Sequence, residues 1–151
     1  MRIAHGECYV GFMGEDLYAG GCLCGAVRYE LSGPVHNPCW CHCTSCRRAL
    51  GAPVVPWGTA LHERFRLTRG ALAEYRSSPA VLRGFCAACG TSLTYRHEGR
   101  PQDVDVTLAS LDEPGRLAPQ MHVWVADKLP WVTIGDGLPQ FPAGAPAPAD
   151  R

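Results

Sequence analysis

The densest chemistry in the chain lies in Cys39-Trp40-Cys41-His42-Cys43-Thr44-Ser45-Cys46-Arg47-Arg48, where four of the nine cysteines fall within eight residues. Thiolates packed this closely repel one another unless a cation or a disulfide relieves them. In C-x-C, extended residues i and i+2 point to one side; in C-x-x-C a tight turn brings two sulfurs together. Cys41, Cys43 and Cys46 can therefore converge on one tetrahedral ion and leave its fourth position open. That is the arrangement of a working zinc rather than a purely structural one. Cys39 is a candidate extra ligand: swung in, it would close the site as four thiolates; left out, it packs as a small apolar side chain.

An open zinc thiolate site can bind a thiol substrate as its thiolate. That thiolate can add to an aldehyde carbon to give an S-hydroxymethyl adduct, or the reverse reaction is eased. Alternatively the ion polarises the aldehyde oxygen. Arg47 and Arg48 are the candidate substrate-binding residues, able to offset the negative charge of a three-thiolate centre or to grip a carboxylate. The competing reading is a solvated face at a helix start. His42, between two ligands, points to the opposite side of an extended backbone, so it is expected behind the ligands rather than on the ion. His122 is expected in the core or on the surface. Trp40, Trp57 and Trp131 line a pocket or fill the core, and no general base stands out.

The second thiol group needs two distant segments. Phe85-Cys86-Ala87-Ala88-Cys89-Gly90 reads as a C-x-x-C-G turn between two strands. Such a knuckle wants two more ligands, and Cys22 and Cys24 in Gly21-Cys22-Leu23-Cys24-Gly25 supply them. The result is a closed four-cysteine structural site that also closes a long loop of a small β domain.

The elements that must hold these groups read as strands. Val27, Tyr29 and Leu31 alternate with polar residues, as do Val104, Val106 and Leu108 with Asp103, Asp105 and Thr107, so both predict half-buried strands. Short strands are expected at Phe65–Thr68 and Ala73–Arg76, on either side of the knuckle, and at Met121–Val125. Residues Ala52–Ala60 read as an edge or irregular strand because of Pro53 and Pro56. Arg47–Leu50 is expected to form a short helix, capped by Thr44 or Ser45 and ended by Gly51. Helical periodicity is otherwise nearly absent, so the fold class is mainly β with little helix.

The chain has 151 residues, enough for one domain with a real core, and its 14 basic residues balance 14 acidic ones. Zero formal charge argues against nucleic-acid binding driven by bulk charge. No apolar run is long enough for a signal peptide or a membrane span. A cytoplasmic location follows as an expectation, and there an odd number of cysteines points to metal or catalysis before disulfides. Residues 1–16 read as an N-terminal extension in which Cys8 is a bystander and Met13 is an alternative start. The domain is expected over 17–141, with a Pro/Ala-rich tail at 142–151.

The cysteine motifs, their order, and the ending Asp136-Gly137-Leu138-Pro139 resemble the glutathione-dependent formaldehyde-activating enzyme family, which includes centromere protein V. The resemblance covers roughly residues 17–141. It implies a zinc-containing β-tent of layered antiparallel sheets. It implies a structural zinc on Cys22, Cys24, Cys86 and Cys89. It also implies a second zinc on Cys41, Cys43 and Cys46, with these three as the catalytic group of carbon–sulfur lyase-type chemistry. Two zincs per chain are then expected, with a small thiol or thiol–aldehyde substrate such as a glutathione adduct. Two other classes stand beside this one: a non-enzymatic zinc module that binds a partner, and a thiol redox protein cycling Cys43 and Cys46. No βαβ pattern supports the last.

Overall fold

A computed structural model describes residues 16–145. The expectations for Cys8, for Met13 and for residues 146–151 lie outside the described residues. The chain forms β1 (Leu17–Gly21), β2 (Arg28–Ser32), β3 (His36–Cys41), α1 (Thr44–Leu50), β4 (Val55–Leu61), β5 (Phe65–Arg69), β6 (Ala73–Ser78), β7 (Val81–Phe85), β8 (Ser92–His97), β9 (Asp103–Thr107) and β10 (Met121–Val123). These strands make two sheets, one in the order β1-β2-β5 and one in the order β10-β3-β4-β9-β8-β7-β6. The protein is mainly β and layered, as the alternation in its sequence predicts. Every pairing is antiparallel except that of β10 with β3.

The period of two decides what each face buries. Tyr29 and Leu31 of β2 turn inward onto Leu93, Val104 and Val106 of the large sheet, making the main core between the sheets. Leu31, Leu93 and Val106 are fully buried, and each contributes about 2 kcal/mol through its apolar surface. Val55 and Trp57 of β4 face the other way, where they join Cys41, Cys46 and Val123 in a second cluster. The large sheet therefore has a core face and a site face.

Two expectations change on this frame, for β4 and for β9. Strand β4 lies between β3 and β9, inside the sheet rather than at its edge. Pro56 is tolerated there because it pairs only with Trp40 of β3, beyond the Trp57–Thr107 pair that ends the β9 ladder. Strands β5 and β6 are not neighbours: Gly70 and the two residues after it carry the chain from the small sheet to the far edge of the large one. Strand β9 is buried on both faces rather than half-buried, with Asp103 and Thr107 each 3% exposed. On its polar face Asp105 turns to the site, while Asp103 pairs with Arg100 and Thr107 bonds Ser110.

Candidate metal centre and cleft

The C-x-C of Cys22 and Cys24 follows β1, in a turn closed by Gly25 N–H to Cys22 O at 3.1 Å. The C-x-x-C of Cys86 and Cys89 joins β7 to β8 in a matching turn, with Gly90 N–H on Cys86 O at 2.8 Å and a left-handed Gly90. Leu23 N–H donates to Thr91 Oγ1 across the two turns at 3.1 Å. The four Sγ atoms all lie within 4.8 Å of one another, with Cys22 to Cys24 at 3.6 Å and Cys24 to Cys86 at 3.8 Å. Four sulfurs around a tetrahedral zinc would stand about 3.8 Å apart, so the donor set fits that ion. The Thr91 hydroxyl and then its N–H hold the Cys89 thiol down to about 5.

The second cluster is built from the end of β3 and the start of α1. Cys41, Cys43 and Cys46 have their sulfurs within 4.8 Å of one another. The helix cap here is Cys43, not Thr44 or Ser45: its Sγ accepts the Cys46 N–H at 3.3 Å. A thiolate accepts that bond better than a hydroxyl does, so the cap itself favours the charged sulfur. Hydrogen bonds from Cys41 and then Cys46 hold the Cys43 thiol far below its ordinary value, while the same contacts drive Cys41 far above it. Three sulfurs so close cannot all ionise without a cation. Cys39 is not part of this group; burial pushes its thiol up to about 12. Among the described residues the protein thus has one four-thiol and one three-thiol group that can hold a metal ion.

The three-thiol group lies in a cleft of about 1060 Å³ on the site face of the large sheet. Its floor is a row that crosses four strands in register: Arg83 of β7 beside Tyr95 of β8, Tyr95 beside Asp105 of β9, and Asp105 beside Thr59 of β4. Cross-strand partners stand about 5 Å apart, so these side chains form one continuous polar line. Arg83 is 6% exposed. Its Nε donates to Ser77 Oγ at 3.1 Å, its Nη atoms lie 3.9 and 3.8 Å from Cys46 Sγ, and its guanidinium covers the Tyr95 ring at 5.1 Å. No carboxylate pairs with it among the described residues, so the nearest anion available is the thiolate group. Asp105 accepts from Thr59 Oγ1 at 2.6 Å and from Arg100 Nη2 at 3.0 Å. Burial nevertheless raises its carboxyl above the ordinary carboxylate value.

Arg47 and Arg48 do not line this cleft; they lie against a small depression with Leu129 and Trp131. Arg47 is spent locally, donating to His42 O at 3.2 Å and Thr44 Oγ1 at 3.2 Å. Trp57 lines the cleft, Trp124 stands at it with a left-handed backbone (φ 58), and Trp40 and Trp131 lie elsewhere. His42 and His122 are buried and bonded to each other. Arg83 and Asp105 escaped the sequence reading for a single reason. Neither carries a local mark: Asp105 alternates with the core residues Val104 and Val106 and so reads as solvent-facing, and Arg83 reads as an ordinary strand arginine.

A crystal structure of a Rhodobacter sphaeroides protein shares the fold, with a TM-score of 0.53 at 24% identity, over 82% of this chain and 98% of that one. Comparison with curated proteins gives no match. No helix among the described residues is long and apolar enough to cross a membrane. Residues 17–127, which hold both thiol groups and the polar row of the cleft floor, match the sequence profile of the glutathione-dependent formaldehyde-activating enzymes, and the chain belongs to that family.

Proposed function

We propose that this protein is a zinc-dependent carbon–sulfur lyase acting on small thiol–aldehyde adducts, of which S-hydroxymethylglutathione is the type. The observation that carries the reading is the contrast between the two thiol groups. One is a closed set of four between two turns, and the other is an open set of three on the wall of a large cleft. Zinc, when bound at the open set, supplies a Lewis acid that keeps a fourth sulfur ionised near neutral pH.

The chain's own residues would do the rest. Cys41, Cys43 and Cys46 hold the ion and leave room for a substrate sulfur. The Arg83 fork beside Cys46 offsets the charge of the thiolates and presents its remaining N–H groups to a substrate oxygen. Asp105, with its carboxyl raised by burial, takes the proton from the adduct hydroxyl. As that proton leaves, the carbon–oxygen double bond forms and the carbon–sulfur bond breaks, its electron pair returning to sulfur. A proton then returns to the thiol, so R–S–CH2–OH gives R–SH and CH2=O. Trp57 and Val123 line the cleft and limit water around the reacting sulfur.

The test is the rate of exchange between free glutathione, formaldehyde and their adduct, followed by NMR. Zinc-loaded wild type should speed exchange, and Cys41→Ser should bind one zinc fewer and lose the effect. A wild type that holds two zincs and leaves the exchange rate at its uncatalysed value would overturn the lyase reading in favour of a zinc module that binds a partner.

A further inference from the structure

The ending Asp136-Gly137-Leu138-Pro139 has no part in that chemistry, yet two side chains link it to the three-thiol segment. Asp136 Oδ2 lies 2.9 Å from His122 Nε2, and His122 Nδ1 lies 2.9 Å from His42 Nε2. Asp136 Oδ1 accepts the Leu138 N–H at 3.1 Å, an Asx turn that aims the carboxylate. The His122 contact and then the Leu138 N–H hold the Asp136 carboxyl below its usual range. An ionised Asp136 can only accept, so His122 carries its proton on Nε2. When His122 Nδ1 then accepts, His42 carries its own proton on Nε2. His42 Nδ1 is left as a buried lone pair with no partner among the described residues.

His42 is the one residue between the ligands Cys41 and Cys43. It is 1% exposed and does not line the cleft. Its main chain is tied as firmly as its ring: its N–H donates to Val123 O at 3.0 Å, and its carbonyl accepts from Arg47 Nε at 3.2 Å. Three thiolates without an ion repel, and an open site has only three protein ligands with which to hold one. Its affinity therefore depends on how well those ligands are fixed beforehand.

We infer that Asp136 and His122 are positioning residues for the metal centre: through two hydrogen bonds they fix the His42 ring, and with it the backbone that spaces Cys41 from Cys43. This inference rests on the metal reading above. Neither residue touches substrate or ion; both act from the back of the sheet, and Asp136 does so from a loop near the C-terminus.

The test uses Asp136→Asn in the full chain. Asparagine has one carbonyl oxygen, which the Leu138 N–H retains, so its NH2 faces His122. That reverses the tautomer of His122 and then of His42. Cobalt(II) titration with chelator competition reads the two thiol groups as separate equivalents. The reversed chain puts a proton on His42 Nδ1, a buried atom with no partner among the described residues, so the ring and its backbone must shift and the three-thiol equivalent should weaken about ten- to a hundredfold. The four-thiol equivalent should hold, and Asp136→Glu should restore part of the loss. Histidine 15N spectra of zinc-loaded wild type should show His42 protonated on Nε2, and those of Asp136→Asn on Nδ1. Unchanged cobalt affinity would overturn the inference, as would equal weakening of both equivalents. So would a wild-type His42 protonated on Nδ1, a result that needs no variant to fold. Wild type that takes up no cobalt at the three-thiol group would instead overturn the metal reading, and this inference with it.

Discussion

Replacing Arg83 by leucine removes the one buried guanidinium beside the three-thiol group. Its Nη atoms stand 3.9 and 3.8 Å from Cys46 Sγ. Two unit charges at that distance attract by about 4 kcal/mol at an effective dielectric of about 20. Arg83 borders an open cleft, so an effective dielectric of about 40 is the better choice, which leaves about 2 kcal/mol. That converts to about thirtyfold in metal affinity at this site. The measurement is competition for zinc against a chromophoric chelator, with the four-thiol group of the same molecule as internal reference. Arg83→Leu should release its weaker zinc at about thirtyfold lower chelator strength, and Arg83→Lys, which keeps the charge but not the fork, should fall between. The lost stacking on Tyr95, about 1 kcal/mol, lowers overall stability and so acts on both groups alike. A variant that binds both zincs as tightly as wild type would refute the assignment of Arg83 as counter-charge. So would an equal loss at the two groups.

Three further outcomes follow from the same geometry. Cys86→Ser should break the clip between the two turns and lower the melting temperature by at least about 10 °C; scanning calorimetry in the presence of zinc would contradict this if the midpoint stayed put. Burial raises the Asp105 carboxyl above its ordinary 3.8, so its contribution is fully present below that value and lost as pH rises through the folded one. Wild type should therefore lose stability relative to Asp105→Asn as pH rises from about 4, and a difference in melting temperature that is flat with pH would refute this. Gly70 has φ +69, and a Cβ there would sit 2.2 Å from Ala26 O. Gly70→Ala should cost about 1–3 kcal/mol in urea unfolding, and a cost below about 0.5 kcal/mol would count against the strained crossover.

What was legible in the sequence was whatever depends on local spacing. The alternation of Val27, Tyr29 and Leu31 gave a strand with its buried face assigned correctly, and the C-x-C and C-x-x-C spacings each bring two sulfurs together; that the two pairs meet is what the family resemblance implied. His42 lies behind the ligands because adjacent residues of an extended chain face opposite ways. What was not legible depends on which strands become neighbours. Asp105 on the polar face of β9 reads as solvent-facing until the cleft is seen to cover it, so it stayed hidden. Arg83 looked like any arginine in a strand. Arg47 and Arg48 were prominent only because they adjoin the ligands in sequence, and the turn of α1 carries them to the other side.

The two thiol groups differ in how much chain must be in place before each can form. Cys41, Cys43 and Cys46 lie within six residues, so a short, unfolded segment already holds the whole set. Cys24 and Cys86 are 62 residues apart, and their group exists only after β7 and the small sheet have met, at a loop-closure cost the local set never bears. During synthesis the three-thiol segment emerges first, its last ligand Cys46 standing 40 residues before Cys86. A growing chain thus presents the three-thiol group to a metal before the four-thiol group. Of the two, the group completed last is the one that reports that the fold is closed.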